Sequence, residues 1–387
     1  MLPFVRMMEY GNVKPIPVGI KKINTCNNAL HVLYEDGTLY GVGDNSQGQL
    51  GLGNVASVST LTLIDTGVTD LHISSHRSPV LLYSKENLLF ITGNAGGWMG
   101  TATTYKTPVQ ITDLSTLLAN NSGLSYTAKV SRYNICILIQ KSTTTVLMIS
   151  GNKTCINGGV ASPQAFVKQA DDVVDYSITD WADTVTNCYY LLKNGNLMGL
   201  GSNSVSQISP SSIGQTYTSP YLMDFGSISS VYGSDLRVVW AKYNQVYGRG
   251  SNAGNSLGPG TGNVTTNTVL YNNITPTPIN STNVVLGSVL NTTVVGIFDN
   301  ASSPNYGAGN KGIGGLGSGV VYLGAPSGTT VTSGTLYQQV STVRQMVSSV
   351  LLCAFLIDDK VYLCAQDANI NTITVPGKTY FEVPLPK

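Results

Sequence analysis

The residues of this chain that could support chemistry are few and scattered. Among its 387 residues are three histidines, His31, His72 and His76. His72 and His76 have a spacing that would bring two metal ligands together on one face of a helix. The surrounding TDLHISSHRSP is typical of a strand and a turn, and no third ligand lies near. We therefore predict no metal site.

Two pairs of adjacent acidic residues are candidates for acid–base catalysis, because glycosidases use two carboxyl groups. They are Asp171-Asp172 and Asp358-Asp359. The second pair falls at a polar turn between two apolar runs, where aspartate is favoured for its backbone conformation. We predict no catalytic residue and no enzymatic activity.

The cysteines are spread along the chain without a CxxC pair. They are Cys26, Cys136, Cys155, Cys188, Cys353 and Cys364. This spacing indicates neither a zinc site nor a redox motif. Three of them lie in apolar, strand-like runs, and we interpret them as free and buried.

Residues 31–53, HVLYEDGTLYGVGDNSQGQLGLG, contain a glycine-rich stretch that could cradle a phosphate. A P-loop requires GxxxxGK[ST] between a strand and a helix, and a dinucleotide fingerprint requires GxGxxG at the start of a helix. Neither context is present. We predict no cofactor and interpret the glycines as backbone positions that need a positive φ.

The glycine pattern recurs along the chain and identifies a repeat. The anchor residues of its seven copies are Gly43, Gly93, Gly151, Gly201, Gly250, Gly309 and Ala365. Their spacing of roughly 50 to 60 residues is in the range of propeller blades. Three residues before each anchor stands a large side chain, which we predict to be buried between packed sheets. These are Tyr40, Phe90, Met148, Met198, Tyr247, Tyr306 and Tyr362.

Each unit is predicted to contain about four short strands. A second apolar run precedes the anchor strand, and a turn such as Asp36-Gly37 or Asn194-Gly195 joins the two as a hairpin. A weaker strand with proline begins each unit, as in KTPVQ at 106–110, because proline is tolerated at sheet edges. This arrangement leaves no room for helices.

These features predict an all-β fold, a single domain over residues 1–387 that forms a seven-bladed β-propeller of about four-stranded antiparallel blades. The segments KPIPV at 14–18 and KTYFEVPLP at 378–386 resemble outer strands. We expect the N- and C-terminal strands to close the ring, with the last one docked beside the first unit, because closure hides strand edges.

The first copy, DGTLYGVGDNSQGQLGLG with His31 upstream, resembles the repeat of the regulator of chromosome condensation family. Copies four (NGNLMGLGSNSVSQI) and five (NQVYGRGSNAGNSLG) resemble it clearly, and the others are degenerate. The resemblance implies a propeller that holds another protein on one face. The founding member is an exchange factor that docks on chromatin. This chain departs from the pattern at Ala365, and no later copy repeats His31.

A second resemblance concerns YEDGTLYG, which is similar to the Asp-box SxDxGxTW of sialidase propellers. That family also needs an arginine cluster for the substrate carboxylate. The six arginines here, Arg6, Arg77, Arg132, Arg237, Arg249 and Arg344, follow no repeat register. A glycan-binding or glycan-cleaving propeller remains an alternative hypothesis.

Charge argues against nucleic acid as a partner. Charged residues make up 11% of the chain, the net charge is +1, and no basic cluster exceeds Lys21-Lys22. The sequence contains no secretion signal, and no apolar run approaches the roughly 18 residues that span a membrane. We expect a soluble protein folded in a host cytoplasm.

The composition, poor in charge and rich in Ser, Thr, Asn and Gly, resembles that of bacteriophage tail, fibre and decoration proteins. Our first hypothesis is a structural or host-contacting virion protein, part of a larger assembly, whose partners are other virion proteins or a host surface receptor. The alternative is an intracellular, exchange-factor-like adaptor. The longest candidate binding loops are 101–125, 205–220 and 252–286.

Overall fold

The computed structural model describes most of the first 271 residues and shorter segments after them. The described residues are 19–75, 78–86, 88–95, 104–111, 114–151, 153–156, 158, 166–182, 185–234, 236–243, 245–251, 257, 262–271, 284–289, 292–297, 305–306, 309–310, 316–317, 322–323, 330–331, 336–337, 343–348, 352–357, 359–365 and 380–384. They are mainly β-strands and the turns between them.

The first four blades are antiparallel meanders with their strands in sequence order. Blade one is β1 (Ile20–Cys26), β2 (Ala29–Tyr34), β3 (Leu39–Gly43) and β4 (Val58–Asp65); blade two is β5 (Val68–Ser74), β6 (Val80–Lys85), β7 (Leu88–Asn94) and β8 (Thr104–Ile111); blade three is β9 (Ser125–Val130), β10 (Asn134–Gln140), β11 (Thr145–Gly151) and β12 (Val167–Asp171); blade four is β13 (Val173–Ala182), β14 (Val185–Leu192), β15 (Leu197–Ser202) and β16 (Thr216–Asp224). A parallel pairing of β5 with β9 also links blades two and three.

Three more blades complete the series. Blade five is β17 (Ile228–Ser234), β18 (Arg237–Lys242), β19 (Gln245–Gly250) and β20 (Val264–Tyr271). Blade six is β21 (Val284–Val289), β22 (Thr292–Ile297), β23 (Asn305–Tyr306) and β28 (Leu336–Tyr337); between its last two strands lies a hairpin of β24 (Gly309–Asn310), β25 (Leu316–Gly317), β26 (Tyr322–Leu323) and β27 (Thr330–Val331). Blade seven is β29 (Val343–Ser348), β30 (Leu352–Ile357), β31 (Lys360–Ala365) and β32 (Tyr380–Glu382). The prediction of an all-β propeller with seven blades of about four strands is confirmed.

The first strands of the blades surround the centre and join the last blade to the first. Successive first strands contact one another, as β13 does β17 and β1 does β29. The side-chain amide of Gln345 in β29 accepts a hydrogen bond from the N–H of Ile23 at 2.9 Å and donates one to its carbonyl at 2.8 Å. Blade seven is thus hydrogen-bonded to blade one.

The C-terminal strand belongs to blade seven. We expected it beside the first unit, and β32 instead pairs with β31. Val383, which follows it, packs into an apolar cluster shared with blade one. The matching segment at 14–18 lies outside the described residues.

In the two blades where the structure describes it, the proline-containing strand ends the blade rather than beginning it. Pro108 lies in β8 and Pro220 in β16, the fourth and outermost strands of blades two and four. An outer strand has one unpaired edge, so a residue without an N–H is tolerated there. The sequence pattern identified the strand but not the blade to which it pairs.

Two helical elements were not expected. A short 3-10 helix (Lys153–Cys155) follows β11, and the helix α1 (Leu114–Asn120) lies between blades two and three. Leu114 anchors it, because this side chain is buried in the core between the two blades. Within the part of the chain that the structure describes, no helix is long and apolar enough to cross a membrane.

The ring has two different sides. Turns between second and third strands lie on one side, which we call the turn face. Because the blades are antiparallel meanders, the links from one blade to the next lie there too. Loops between third and fourth strands lie on the opposite side, the loop face.

Two turns on the turn face share one geometry. Gly37 and Gly195 have φ angles of 82° and 86°. Before each, a side-chain oxygen of Asp36 or Asn194 accepts a hydrogen bond from the backbone N–H two residues on, at 2.9 and 3.0 Å. This is the Asx geometry that favours aspartate and asparagine in turns.

Candidate functional site

Asp70, His72 and Ser84 come together where blade two meets blade three. His72 Nε2 and Ser84 Oγ are hydrogen-bonded at 2.6 Å. His72 Nδ1 lies 3.8 Å from Asp70 Oδ2. A carboxylate, an imidazole and a hydroxyl in this order form the triad of serine hydrolases.

The arrangement does not suit nucleophilic catalysis. His72 and Ser84 are buried, and the hydroxyl of Tyr126 from blade three lies 2.8 Å from Ser84 Oγ. The 3.8 Å separation is too long for a hydrogen bond that orients the imidazole. Asp70 is paired instead with Lys22 of blade one at 3.0 Å. The trio therefore connects three blades and leaves no approach to the hydroxyl.

Burial lowers the pKa of both described histidines to about 4, since a charged imidazole loses its hydration inside the protein. The negative charge of Asp70 acts against this effect and raises the pKa of His72, whereas the positive charge of Lys22 lowers it further. His31 Nε2 lies 3.1 Å from the carbonyl oxygen of Gln49. Both rings are neutral at pH 7.

The free energy of unfolding should fall as the pH drops from about 6.5 towards 4. In this window the unfolded chain protonates His31 and His72 while the folded chain does not, because the folded pKa is the lower one. Each histidine should account for about 2 kcal/mol between pH 7 and pH 5. Urea unfolding at these pH values measures the loss. His72→Gln should remove about half of the dependence, and a wild-type stability that does not change with pH would contradict the assignment.

The glycine-rich loop after β3 is held by two fully buried side chains, Asn45 and Gln49. Asn45 Oδ1 accepts from the N–H of Leu50 at 2.8 Å, and its Nδ2 donates to the carbonyl of Asn54 at 3.0 Å. Gln49 Oε1 accepts from the N–H of Gln47 at 2.9 Å. The loop therefore uses these backbone N–H groups internally rather than presenting them to a phosphate.

Blade four builds the same loop with serines in place of glycines. Asn203 Oδ1 accepts from the N–H of Ile208 at 2.9 Å, and Gln207 Oε1 accepts from another loop N–H at 2.8 Å. The buried guanidinium of Arg249 in blade five donates to the Ile208 carbonyl. The repeated amides, more than the glycines, define this loop, and Arg249 fastens it to the next blade.

A partly buried ionic contact joins blades one and two on the turn face. Asp65 ends β4; its Oδ1 accepts from Lys85 Nζ and its Oδ2 from the Tyr83 hydroxyl, each at 2.8 Å. Burial raises the pKa of Asp65, but the hydrogen bonds from Lys85 and Tyr83 outweigh it and hold the pKa below its usual value. Tyr83 in turn stacks on Phe90 at 5.6 Å.

Blades four and five repeat this contact. Asp224 ends β16; its Oδ1 accepts from Lys242 Nζ at 2.8 Å and its Oδ2 from the indole N–H of Trp240 at 2.9 Å. Trp240 stacks on Tyr247 at 5.9 Å. We call the sets Asp65, Tyr83, Lys85 and Asp224, Trp240, Lys242 the carboxylate clamps.

At three other interfaces both clamp positions are uncharged. The pairs at the positions of the aspartate and the lysine are Ile111 and Ile139 between blades two and three, Ala170 and Leu192 between blades three and four, and Val383 and Tyr34 between blades seven and one. The two positions change together because a partly buried lysine without a carboxylate would be an uncompensated charge.

The most distinctive surface of the turn face lies over blade four. It comprises Asp171–Asp172, Leu192–Gly195, Asp224–Gly226 and Lys242–Tyr243, and we call it the blade-four surface. Its parts touch: the N–H of Lys193 donates to the carbonyl of Asp172 at 2.7 Å. A Cβ added to Gly195 would lie 2.1 Å from the carbonyl oxygen of Gly226.

Two large rings stand out from this surface. Phe225 is 66% exposed and Tyr243 is 58% exposed. Lys242 Nζ lies 5.5 Å from the centre of the Phe225 ring, which restrains the ring in an otherwise open position. Tyr243 has a φ of 53°, which costs a bulky residue about 1 kcal/mol. Exposed aromatic rings and local strain are both typical of binding surfaces.

A cavity of about 360 Å³ lies on the same face, between blades three and four. It is lined by Asp171, Asp172, Leu192, Lys193 and Asn194. The acidic pair singled out in the sequence is therefore placed on a cavity wall. The other pair is not brought to it: Asp359 is exposed in blade seven, and Asp358 lies outside the described residues.

Five of the anchor glycines have a backbone that other residues rarely adopt. The φ angles are 112° at Gly43, 94° at Gly93, 123° at Gly151, 112° at Gly201 and 113° at Gly250. In the last four, an added Cβ would lie 1.9 to 2.3 Å from a carbonyl oxygen of the chain segment leading into the second strand. These positions shape the backbone at the end of the third strand.

The large residues before the anchors are mostly half-buried. The half-buried ones are Tyr40, Phe90, Met198, Tyr247 and Tyr362, and Met148 is buried. Tyr306 lies in β23 and Gly309 in β24. One side of the Phe90 ring stacks on Tyr83, and one side of the Tyr247 ring stacks on Trp240. The rest of each ring is only partly covered by the outer strand of its blade.

Sequence reasoning missed the two exposed rings. Our candidate loops were 101–125, 205–220 and 252–286, and much of their length is strand or helix, as in β8, α1 and β20. Phe225 and Tyr243 lie outside those ranges, in a short link and a tight turn. A usable signal was present, since an aromatic residue directly before Gly226 is unusual for an exposed link.

Comparison with known proteins gives similarity in fold but not in sequence. No protein-family model and no curated protein matches the chain. Among solved structures it is similar to Prp20p from Saccharomyces cerevisiae, with a TM-score of 0.64 and 13% identity over 87% of this chain and 83% of that one. Human WBSCR16 has a TM-score of 0.62 and 11% identity, over 87% and 85%.

A third similar structure is yeast RCC1 (Prp20) bound to Kap60, with a TM-score of 0.65 and 12% identity. The match covers 89% of this chain and 82% of that one. At these identities the likeness establishes a shared propeller fold.

Proposed function

We propose that the chain is a non-enzymatic protein-binding module that receives its partner on the blade-four surface. The observation that carries this proposal is the pair of exposed rings, Phe225 and Tyr243, on a chain whose other large apolar side chains mostly lie between blades. Aromatic residues are enriched where proteins bind one another. The polar, charged rim formed by Asp171, Asp172 and Lys193 fits the same use.

The similar structures support a protein as the ligand. Prp20p was described with its binding to Gsp1p and histones, and RCC1 was seen bound to Kap60. A propeller with few charges and no basic cluster does not suit a nucleic-acid partner, whose phosphates need basic residues.

We propose further that this module works in a virion, as a structural or host-contacting component. The composition supports this setting, since Ser, Thr, Asn and Gly dominate and only 11% of residues are charged. Mass spectrometry of purified particles tests it. The chain should be present in a fixed ratio to the main structural proteins, and its absence from particles would refute the virion setting while leaving protein binding open.

Tyr243→Asn separates a binding role of this residue from a structural one. Asparagine tolerates the positive φ at this position, so the free energy of unfolding should stay the same or rise by up to about 1 kcal/mol. Partner binding should weaken by about tenfold or more, as expected for an aromatic residue central to an interface.

Urea unfolding and a binding titration with the partner measure the two effects. Leu222→Asn is the matched control, because Leu222 is also exposed but lies on the outer edge of blade four. Equal loss of binding in both variants, or a large loss of stability in Tyr243→Asn, would contradict the proposal.

A further inference from the structure

We propose that the cavity between blades three and four binds a lysine side chain of the partner protein. The inference rests on the proposed function and specifies what the blade-four surface recognises. At two other interfaces of the same ring, a lysine of the chain itself lies at the equivalent place.

The equivalence follows from strand register. Lys85 and Lys242 each lie five residues after the residue that pairs with the anchor glycine, and Leu192 lies at that position in blade four. Ala170 stands opposite Leu147 as Asp65 stands opposite Leu39. Blades three and four therefore lack both the lysine and the carboxylate of a clamp, and a cavity is present at this interface.

The cavity wall has the two chemistries that a lysine side chain needs. Leu192 offers an apolar surface for the four-carbon stem, which proteins readily bury. The carboxylates of Asp171 and Asp172 and the amide of Asn194 offer acceptors for the ammonium group. The carboxylate lost at position 170 is thus replaced by acidic residues one and two positions later.

Two basic residues of the chain compete for these carboxylates. Lys168 pairs with Asp171 at 2.5 Å, and both side chains are more than half exposed. Lys193 also lines the cavity. Asp172 is the carboxylate with no ion pair among the described contacts, so it is the main acceptor for an incoming ammonium group.

The neighbouring rings extend the recognition. The link that carries Phe225 abuts the turn that carries Lys193–Gly195. A partner that inserts a lysine into the cavity would place adjacent residues against Phe225. We therefore expect the partner segment to combine a lysine with a nearby apolar residue.

The test uses small probes with the full chain, so it does not require the partner. N-acetyl-lysine methylamide and its uncharged analogue N-acetyl-norleucine methylamide are titrated into 15N-labelled protein at low salt. The Gly195 amide and the Asn194 side-chain amide should shift saturably with the lysine probe. The norleucine probe, which lacks the charge, should bind about threefold less tightly than the lysine probe. The difference is small because exposed ion pairs are weak.

Two variants sharpen the test. Asp172→Asn should weaken lysine binding about threefold, and the fold should survive because asparagine tolerates the φ of 55° at this position. Lys193→Met should strengthen it. Gly37 serves as internal reference, since its turn has the same geometry but belongs to an interface whose clamp positions are Tyr34 and Val383.

Equal shifts with both probes, an unchanged affinity in Asp172→Asn, or matching shifts at Gly37 would each overturn the lysine site. None of these results touches the exposed rings, so the proposed function would stand or fall separately with Tyr243→Asn. Loss of partner binding in Tyr243→Asn together with unchanged partner binding in Asp172→Asn would support the proposed function and reject the cavity as a lysine site.

Discussion

Gly201→Ala is expected to lower the free energy of unfolding by at least about 4 kcal/mol, a large share of the roughly 5 to 15 kcal/mol that an ordinary protein has. Gly201 has a φ of 112°, and a Cβ there would lie 2.0 Å from the carbonyl oxygen of Thr186. Neither backbone can move away easily, because both belong to the hairpin of β14 and β15. Urea unfolding and the yield of soluble protein measure the effect.

Gly214→Ala is the matched control. Gly214 also has a positive φ, 86°, but an added Cβ would meet nothing within 4 Å. The free energy of unfolding of this variant should fall by only about 1 kcal/mol, the cost of placing alanine at a positive φ. Equal losses in the two variants would show that the close approach to Thr186 is not what requires glycine at the anchor.

Asp224→Ala is expected to destabilise the chain by about 3 to 5 kcal/mol, in the range for one partner of a buried ion pair. The carboxylate is 8% exposed and accepts from both Lys242 and Trp240. Without it the ammonium group and the indole N–H have no acceptor there. Urea unfolding of the variant measures the loss.

The double variant Asp224→Ala with Lys242→Leu recreates the pair that blades three and four carry at Ala170 and Leu192. It should recover more than half of the lost stability, since it removes the uncompensated charge. Lys168→Ala, which breaks an exposed pair, should change stability by less than about 1 kcal/mol. Failure of the double variant to recover would contradict the charge argument.

The repeat made the fold predictable from the sequence. Large side chains and glycines that recur together about every 50 to 60 residues indicate the same local backbone several times, and turns such as Asp36-Gly37 mark the hairpins inside the units. What periodicity could not indicate is which blade an outer strand joins. Pro108 and Pro220 looked like the start of a unit, although pairing places them at the end of one.

The candidate surface could not be predicted in the same way. A clamp joins residues that lie 16 to 20 positions apart on different blades, and this pairing shows only once the strands are in register. The residue types of Phe225 and Tyr243 are typical of a protein core. Their exposure depends on a short link and a turn that both lie at the ring surface.

The buried amides of Asn45 and Asn203 were also not predicted, because asparagine in a loop is typical of an exposed turn. Their side chains bond the loop backbone in both blades. An Asn–Ser–x–x–Gln pattern shared by copies one and four was the available signal.

The most direct test of the central claim is site-specific photo-crosslinking in cells that produce the protein. Phe225 is replaced by benzoylphenylalanine in one chain, and Leu63, an exposed residue on the outer edge of blade one, in another. If the blade-four surface receives a partner, position 225 will give one discrete crosslinked protein and position 63 will not. No product from position 225, or the same products from both positions, would contradict a protein-binding role for this surface.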